Sequence, residues 1–166
     1  MAAQAYQAVG AAVVACQLLE VAFVICVKLV FAQKDARAIA DIRPLDRSAF
    51  RPPTMGLLKE LGNHIRVDPR FADRLANVVD RRHHLVHRWA FKEKWPADAD
   101  IEGNRKVIEF GNALARDASA LTRLLVHHIH LWIDKFPQIR AQLEPLDAGW
   151  LSALPAEYRG LRIEGE

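Results

Sequence analysis

Cysteine is scarce: Cys16 and Cys26 are the only two in 166 residues. Both stand in an apolar stretch, where a thiol behaves as a small hydrophobe, and no Cys-x2-Cys spacing occurs. A disulfide framework and a cysteine-built zinc site are therefore not expected, which fits a reducing cytoplasm. Proline is missing from Ala2 to Ile42, where Gly10 is the only glycine, and charge is missing from Ala2 to Leu19. The uncharged run invites a membrane test, because a spanning helix needs about 20 mostly apolar residues. Gln4, Gln7, Gln17 and Glu20 interrupt it, Lys28 follows, and no basic segment precedes it. Neither a signal peptide nor a clean span is expected, so the chain is read as cytoplasmic with no membrane partner. Strand-like alternation, internal repeats and low-complexity blocks are also lacking.

What is present reads as one folded domain. The chain is 51% hydrophobic, 26% charged and 8% aromatic, an ordinary globular mixture. Its length suits a single core. Ala, Val, Leu and Gln dominate from Ala2 to about Ile42, which predicts one long helix. Such a rod would reach roughly 55–60 Å and outrun a small core, so a second subunit is expected to cover it. Pro44 and the run Arg51-Pro52-Pro53 end the pattern. Thr54 then suits the cap of a short helix from Met55 to about Ile65, with Leu57, Leu58, Leu61 and Ile65 as its apolar stripe. Asp68-Pro69 repeats the start signal. A helix from Pro69 to about Lys94 should follow, stopped by Trp95-Pro96, then a polar linker over 96–103. The last long helix is expected from about Asn104 to Lys135, with Pro137 as its stop and a short helix over 138–143 behind it. The expectation is an all-α helical bundle over 1–144, three long helices and one short, with an irregular tail over 145–166.

The net charge is only +3 and the pI about 9.1, but the basic residues are unevenly spread. Arg81, Arg82, Arg88, Lys92 and Lys94 share a stretch with three histidines and the single acid Glu93. That stretch is either a phosphate-facing surface or a solvated helix face. Its helix carries a seam of Phe71, Leu75, Val78, Leu85 and Trp89, and the vacancy in that spacing falls on Arg82. A guanidinium in an apolar stripe costs several kcal/mol, on the order of the penalty for any buried unpaired charge, unless a partner or a wet cleft compensates it. Glu20, set in the apolar first helix, is the expected partner, with Asp117 on the last helix as the alternative. Helical geometry puts Val79, Val86 and Ala90 beside the seam, His83 and His87 on its flank, about 100° and 140° round from Arg82, and His84 away from the core.

The line Asp80-Arg81-Arg82-His83-His84-Leu85-Val86-His87-Arg88-Trp89 resembles the motif of the HEPN families, in which an Arg is followed by a polar residue, three more positions and a His. Arg82 matches the Arg, His83 the polar position where Asn is more usual, and His87 the His. The segment Thr54 to Leu61, followed by Asp68-Pro69, looks like the layout of uncharacterised bacterial members, so the resemblance covers roughly 54–92 in detail. It implies a HEPN-like up-and-down bundle, often dimeric, and a metal-independent endoribonuclease of the toxin–antitoxin or defence kind with no cofactor. Histidine suits proton transfer because its ordinary pKa is about 6.5, and arginine forks two donors onto a phosphate. The candidate catalytic residues are His87 as acid/base, Arg82 as phosphate clamp and His83 as polar support. Arg81, Arg88, Lys92 and Lys94 are the candidate RNA-binding residues. A homodimer, RNA and a cognate antitoxin are the expected partners. The alternative is a catalytically silent HEPN-like module that binds RNA or a protein.

Three further patterns carry weaker signals. His83 and His87 have the four-residue spacing of helical metal sites, but no third ligand with motif spacing accompanies them, and no metal is expected. His127, His128 and His130 read as surface or interhelical hydrogen-bonding groups. Trp89, Trp95 and Trp132 are suited to stack bases or, more simply, to pack in the core or a lid.

Overall fold

The computed structural model describes residues 1–32, 54–63, 66–89, 97, 99–134, 137, 141 and 163–164. Four α-helices carry the chain: α1 (Ala2–Ala32), α2 (Thr54–Leu61), α3 (Pro69–His83) and α4 (Ile101–Ile133). The all-α expectation holds, with three long helices and one short. The expected continuation of α1 from 33 to 42 lies outside the described residues.

Helix starts follow local chemistry. At α3 the Asp68 carboxylate accepts the Arg70 N–H at 2.8 Å, and Pro69 occupies the first turn, where no amide is needed. At α4 the Asp100 carboxylate accepts the Gly103 N–H at 2.8 Å. This helix therefore begins three residues before the expected Asn104, because the polar run read as linker contains the cap. It ends at Ile133, two residues short of the expected Lys135. Helix α2 includes Thr54 and stops at Leu61, four residues before Ile65. Gly62 and Asn63 form a turn there, both poorer helix formers than the leucines before them. The expected short helix over 138–143 lies largely outside the described residues.

One expectation is corrected. Arg66–Val67 (β1) pairs antiparallel with Ile163–Glu164 (β2), Arg66 opposite Glu164 and Val67 opposite Ile163. The end of the tail, expected to be irregular, thus returns to the α2–α3 connection. A two-residue ladder is too short to leave an alternating pattern, and its pairing is set by tertiary context. It does not change the fold class.

Helix directions follow from a few contacts. Trp89 lies against Phe110 with ring centroids 5.1 Å apart, and Arg81 meets Asp117 at 2.6 Å. Rising numbers on α3 thus meet falling numbers on α4, and the two run antiparallel. Ala8 sits against Gly111, while Glu20 reaches Arg82, the neighbour of Arg81. Helices α1 and α4 therefore run in the same direction. Their contact is close because small residues line it: Ala5, Ala8, Ala12 and Ala15 on α1 are buried, as are Gly111 and Ala118 on α4.

The core fills the space between these helices. Phe23, Leu61, Phe71, Leu75, Leu85, Leu114, Leu121 and Leu125 are completely buried, each contributing about 1.5–3 kcal/mol of apolar burial. The seam of α3 is buried as read, from Phe71 to Trp89. The other face of α1 is open: Val14 and Leu18 are 54% and 57% exposed. Residues Ala2–Val27 are long and apolar enough to cross a membrane, with 39% of the most apolar window buried in the fold.

Candidate functional site

After His83 the third helix does not stop. It widens into a π-helical turn over His84–Arg88, and the Trp89 N–H bonds the His84 carbonyl five residues back. Such single-turn bulges concentrate at functional sites. An extra residue per turn shifts the angular phase of everything beyond it, so the positions of 84 to 88 depart from the straight-helix reading.

Two corrections result. His84, expected to point away from the core, is half-buried, with its ring 5.6 Å from that of Trp89 and 5.8 Å from that of Phe110. Val86, expected beside the apolar seam, is 42% exposed. Leu85 and Trp89 remain in the core on either side of it. Val79 is half-buried, and Ala90 lies outside the described residues.

The two adjacent arginines part company. Arg81 turns to α4, where its Nη1 donates to Asp117 Oδ2 at 2.6 Å and its guanidinium carbon lies 5.2 Å from the Phe110 ring centroid. Arg82 turns to α1, and its Nη1 stands 3.1 Å from Glu20 Oε1. Glu20 is thus the counter-ion of the seam arginine, and Asp117 serves the neighbour instead. The Arg82 pair keeps access to solvent, with side chains 37% and 29% exposed. The Nε of Arg82 is buried without a hydrogen-bond partner, so Glu20 satisfies only part of its donor fork.

His83 and His87 lie on the open side of this turn. Both are exposed, and their ring centroids are 4.8 Å apart with planes tilted by 47°. The structure therefore joins Arg82 to Glu20 and His83 to His87. Of the candidate RNA-binding residues, Arg88 is exposed, Arg81 has its charge committed to Asp117, and Lys92 and Lys94 lie outside the described residues. No group of three or more histidine, cysteine, aspartate or glutamate side chains suited to a metal ion occurs among the described residues.

Cys16 stands one turn before Glu20. Burial pushes its thiol up to about 11, opposed by the positive charge of Arg82. Burial alone pushes Cys26 up to about 12. Neither is a nucleophile near neutral pH. Trp89 is 5% exposed and packs in the core, and its Nε1 has no hydrogen-bond partner. Trp132 is half-buried, and Trp95 lies outside the described residues. In the second histidine cluster, His127 and His128 have ring centroids 5.5 Å apart. His128 is buried and its Nδ1 lies 2.9 Å from the Leu124 carbonyl of its own helix, an intrahelical contact where a surface or interhelical one was expected.

Sequence reasoning singled out the motif residues and their counter-ion but not the π turn, for which His84-Leu85-Val86-His87-Arg88 carries no recognisable signal. It also passed over a groove of about 260 Å³ on the α4 side of α3, lined by Asp73, Arg74, Asn77, Val78 and Asp117. Two carboxylates in that groove repel a phosphate, which separates it from the basic edge at Arg82 and His87. No family model matches the chain, and neither does any curated protein or solved structure.

Proposed function

We propose that this protein is a metal-independent endoribonuclease of the HEPN type, acting in the cytoplasm as a toxin or defence component. The observation that carries the reading is the composition of one open edge. A partly exposed guanidinium, Arg82, and a contacting imidazole pair, His83 and His87, stand on a helix that departs from α geometry between them. RNA cleavage by its own 2′-hydroxyl needs a proton acceptor, a cation for the charge that grows on the phosphorus centre, and a donor for the leaving oxygen. His87 supplies the proton transfers, its contact with His83 fixes the ring, and Arg82 meets the phosphate. DNA, lacking the 2′-hydroxyl, is bound but not cut.

The site is proposed to be shared by a homodimer. The exposed Val14, Leu18 and Val21 on α1 and Val86 on the motif helix favour a second copy as their cover. A cognate antitoxin would act by masking the same edge. The resemblance of the Arg82-to-His87 motif supports the family assignment.

The test is cleavage of single-stranded RNA in EDTA. The wild type should cut, and His87→Ala should lose the activity by at least about a hundredfold while its circular-dichroism melt stays within a few degrees. Equal cutting by both proteins removes His87 from the mechanism. Binding without fragments from the wild type points to the silent RNA-binding module instead.

A further inference from the structure

Between Ala2 and Val27 the first helix carries one charge, Glu20, and that charge is directed at the motif arginine. A lone carboxylate on an otherwise uncharged helix has a solvation cost that only a specific use offsets. Stability alone is a poor account of it, since a pair this exposed stabilises little. The neighbouring pair shows what a structural ion pair looks like here. Arg81 closes a 2.6 Å hydrogen bond to Asp117 and rests on Phe110. Arg82 reaches Glu20 only at 3.1 Å, through one nitrogen, with both partners open to solvent and its Nε left unmatched.

Resting on the reading of Arg82 as a phosphate clamp, we infer that Glu20 is an internal competitor for that clamp. Its carboxylate occupies the guanidinium in the free protein, and an incoming phosphodiester takes its place. A phosphate offers Arg82 two oxygens for a forked pair, which one Glu20 oxygen does not. The exchange costs little, because both partners are already part hydrated. Arg81 holds the helix to α4 throughout, so Arg82 moves without the helix moving. Glu20 therefore sets the affinity threshold of the site: weakly held or singly contacting anions do not displace it, and a nucleic-acid strand that also engages Arg88 and the imidazoles does.

The experiment measures binding of a fluorescent 2′-O-methyl oligonucleotide, which cannot be cleaved, by anisotropy in EDTA and low salt. Glu20→Gln should bind about twofold to fivefold more tightly than wild type, the range of an exposed ion pair, and Arg82→Gln about tenfold more weakly. In the Arg82→Gln background, Glu20→Gln should change nothing; a gain that persists there is a general charge effect and overturns the inference. Weaker binding by Glu20→Gln makes Glu20 a positioning residue and equally overturns it. Glu20→Asp, which keeps the charge and shortens the reach, should tighten binding to a lesser degree and serves if the Gln variant fails to fold. If Arg82→Gln binds as well as wild type, the clamp reading itself falls, an outcome distinct from failure of the competition alone.

Discussion

The close approach of α1 and α4 predicts that one substitution, glycine to alanine, has opposite effects at two helical positions. In an exposed helix interior the change gains about 1 kcal/mol, because alanine has less backbone entropy to lose. Gly10 lies on the open side of α1, where an added Cβ meets nothing within 4 Å. Gly10→Ala should therefore raise Tm by about 2–4 °C for a domain of this size. Gly111 receives the same intrinsic gain, but its added Cβ would lie 2.9 Å from the Ala8 carbonyl oxygen and 3.0 Å from the carbonyl carbon. Those atoms are backbone, so relief requires the two helices to move apart along a seam of buried alanines. Overpacking of this kind costs about 1–3 kcal/mol. Gly111→Ala should thus lose up to about 2 kcal/mol net, lowering Tm by as much as about 8 °C, and Gly111→Val should lose more. Thermal melts followed at 222 nm, with urea unfolding as a second measure, read both signs. A Gly111→Ala protein that melts at or above wild type would refute the backbone contact as the reason for glycine there.

Arg81→Met should cost about 1–2 kcal/mol, because Asp117 then keeps a part-buried charge without its partner; urea unfolding reads the loss, and oligonucleotide binding should stay within about twofold. Asp100→Ala should cost about 1 kcal/mol through the lost cap of α4, with Asp100→Asn close to wild type in the same melt. The thiols set a pH dependence. Both ionise only well above their ordinary range when folded, with Cys16 near 11 and Cys26 near 12. Above about pH 9 the unfolded chain loses these protons first, so stability should fall as pH rises from 9 toward 12. Replacing both cysteines with alanine should flatten that fall, and a native-state thiol reagent at pH 8 should modify neither until urea is added.

Arg82 was legible in the sequence as an interruption of an apolar seam, and Glu20 as the charge able to answer it, because each broke the pattern of its own helix. The caps Asp68 and Asp100 show the limit of such reading. The first was recognised beside Pro69, and the second was lost in a polar run where nothing distinguishes a cap from a linker. The positions of His84 and Val86 were read wrongly for one reason: a constant 3.6-residue turn was assumed through a segment that adds a residue to its turn. No local preference of those five residues demands the π turn.

Helix content, the buried faces of α2 and α3 and the anomalous charges were determined by the sequence itself, since each depends on residues within a few turns of one another. Tertiary structure alone decided the parallel course of α1 and α4, the separate partners of Arg81 and Arg82, the contact of His83 with His87 and the pairing of β1 with β2. These depend on which surfaces meet. Packing of backbone against backbone at Ala8 and Gly111, and of rings at Trp89 and Phe110, selects among arrangements that helical periodicity leaves equal.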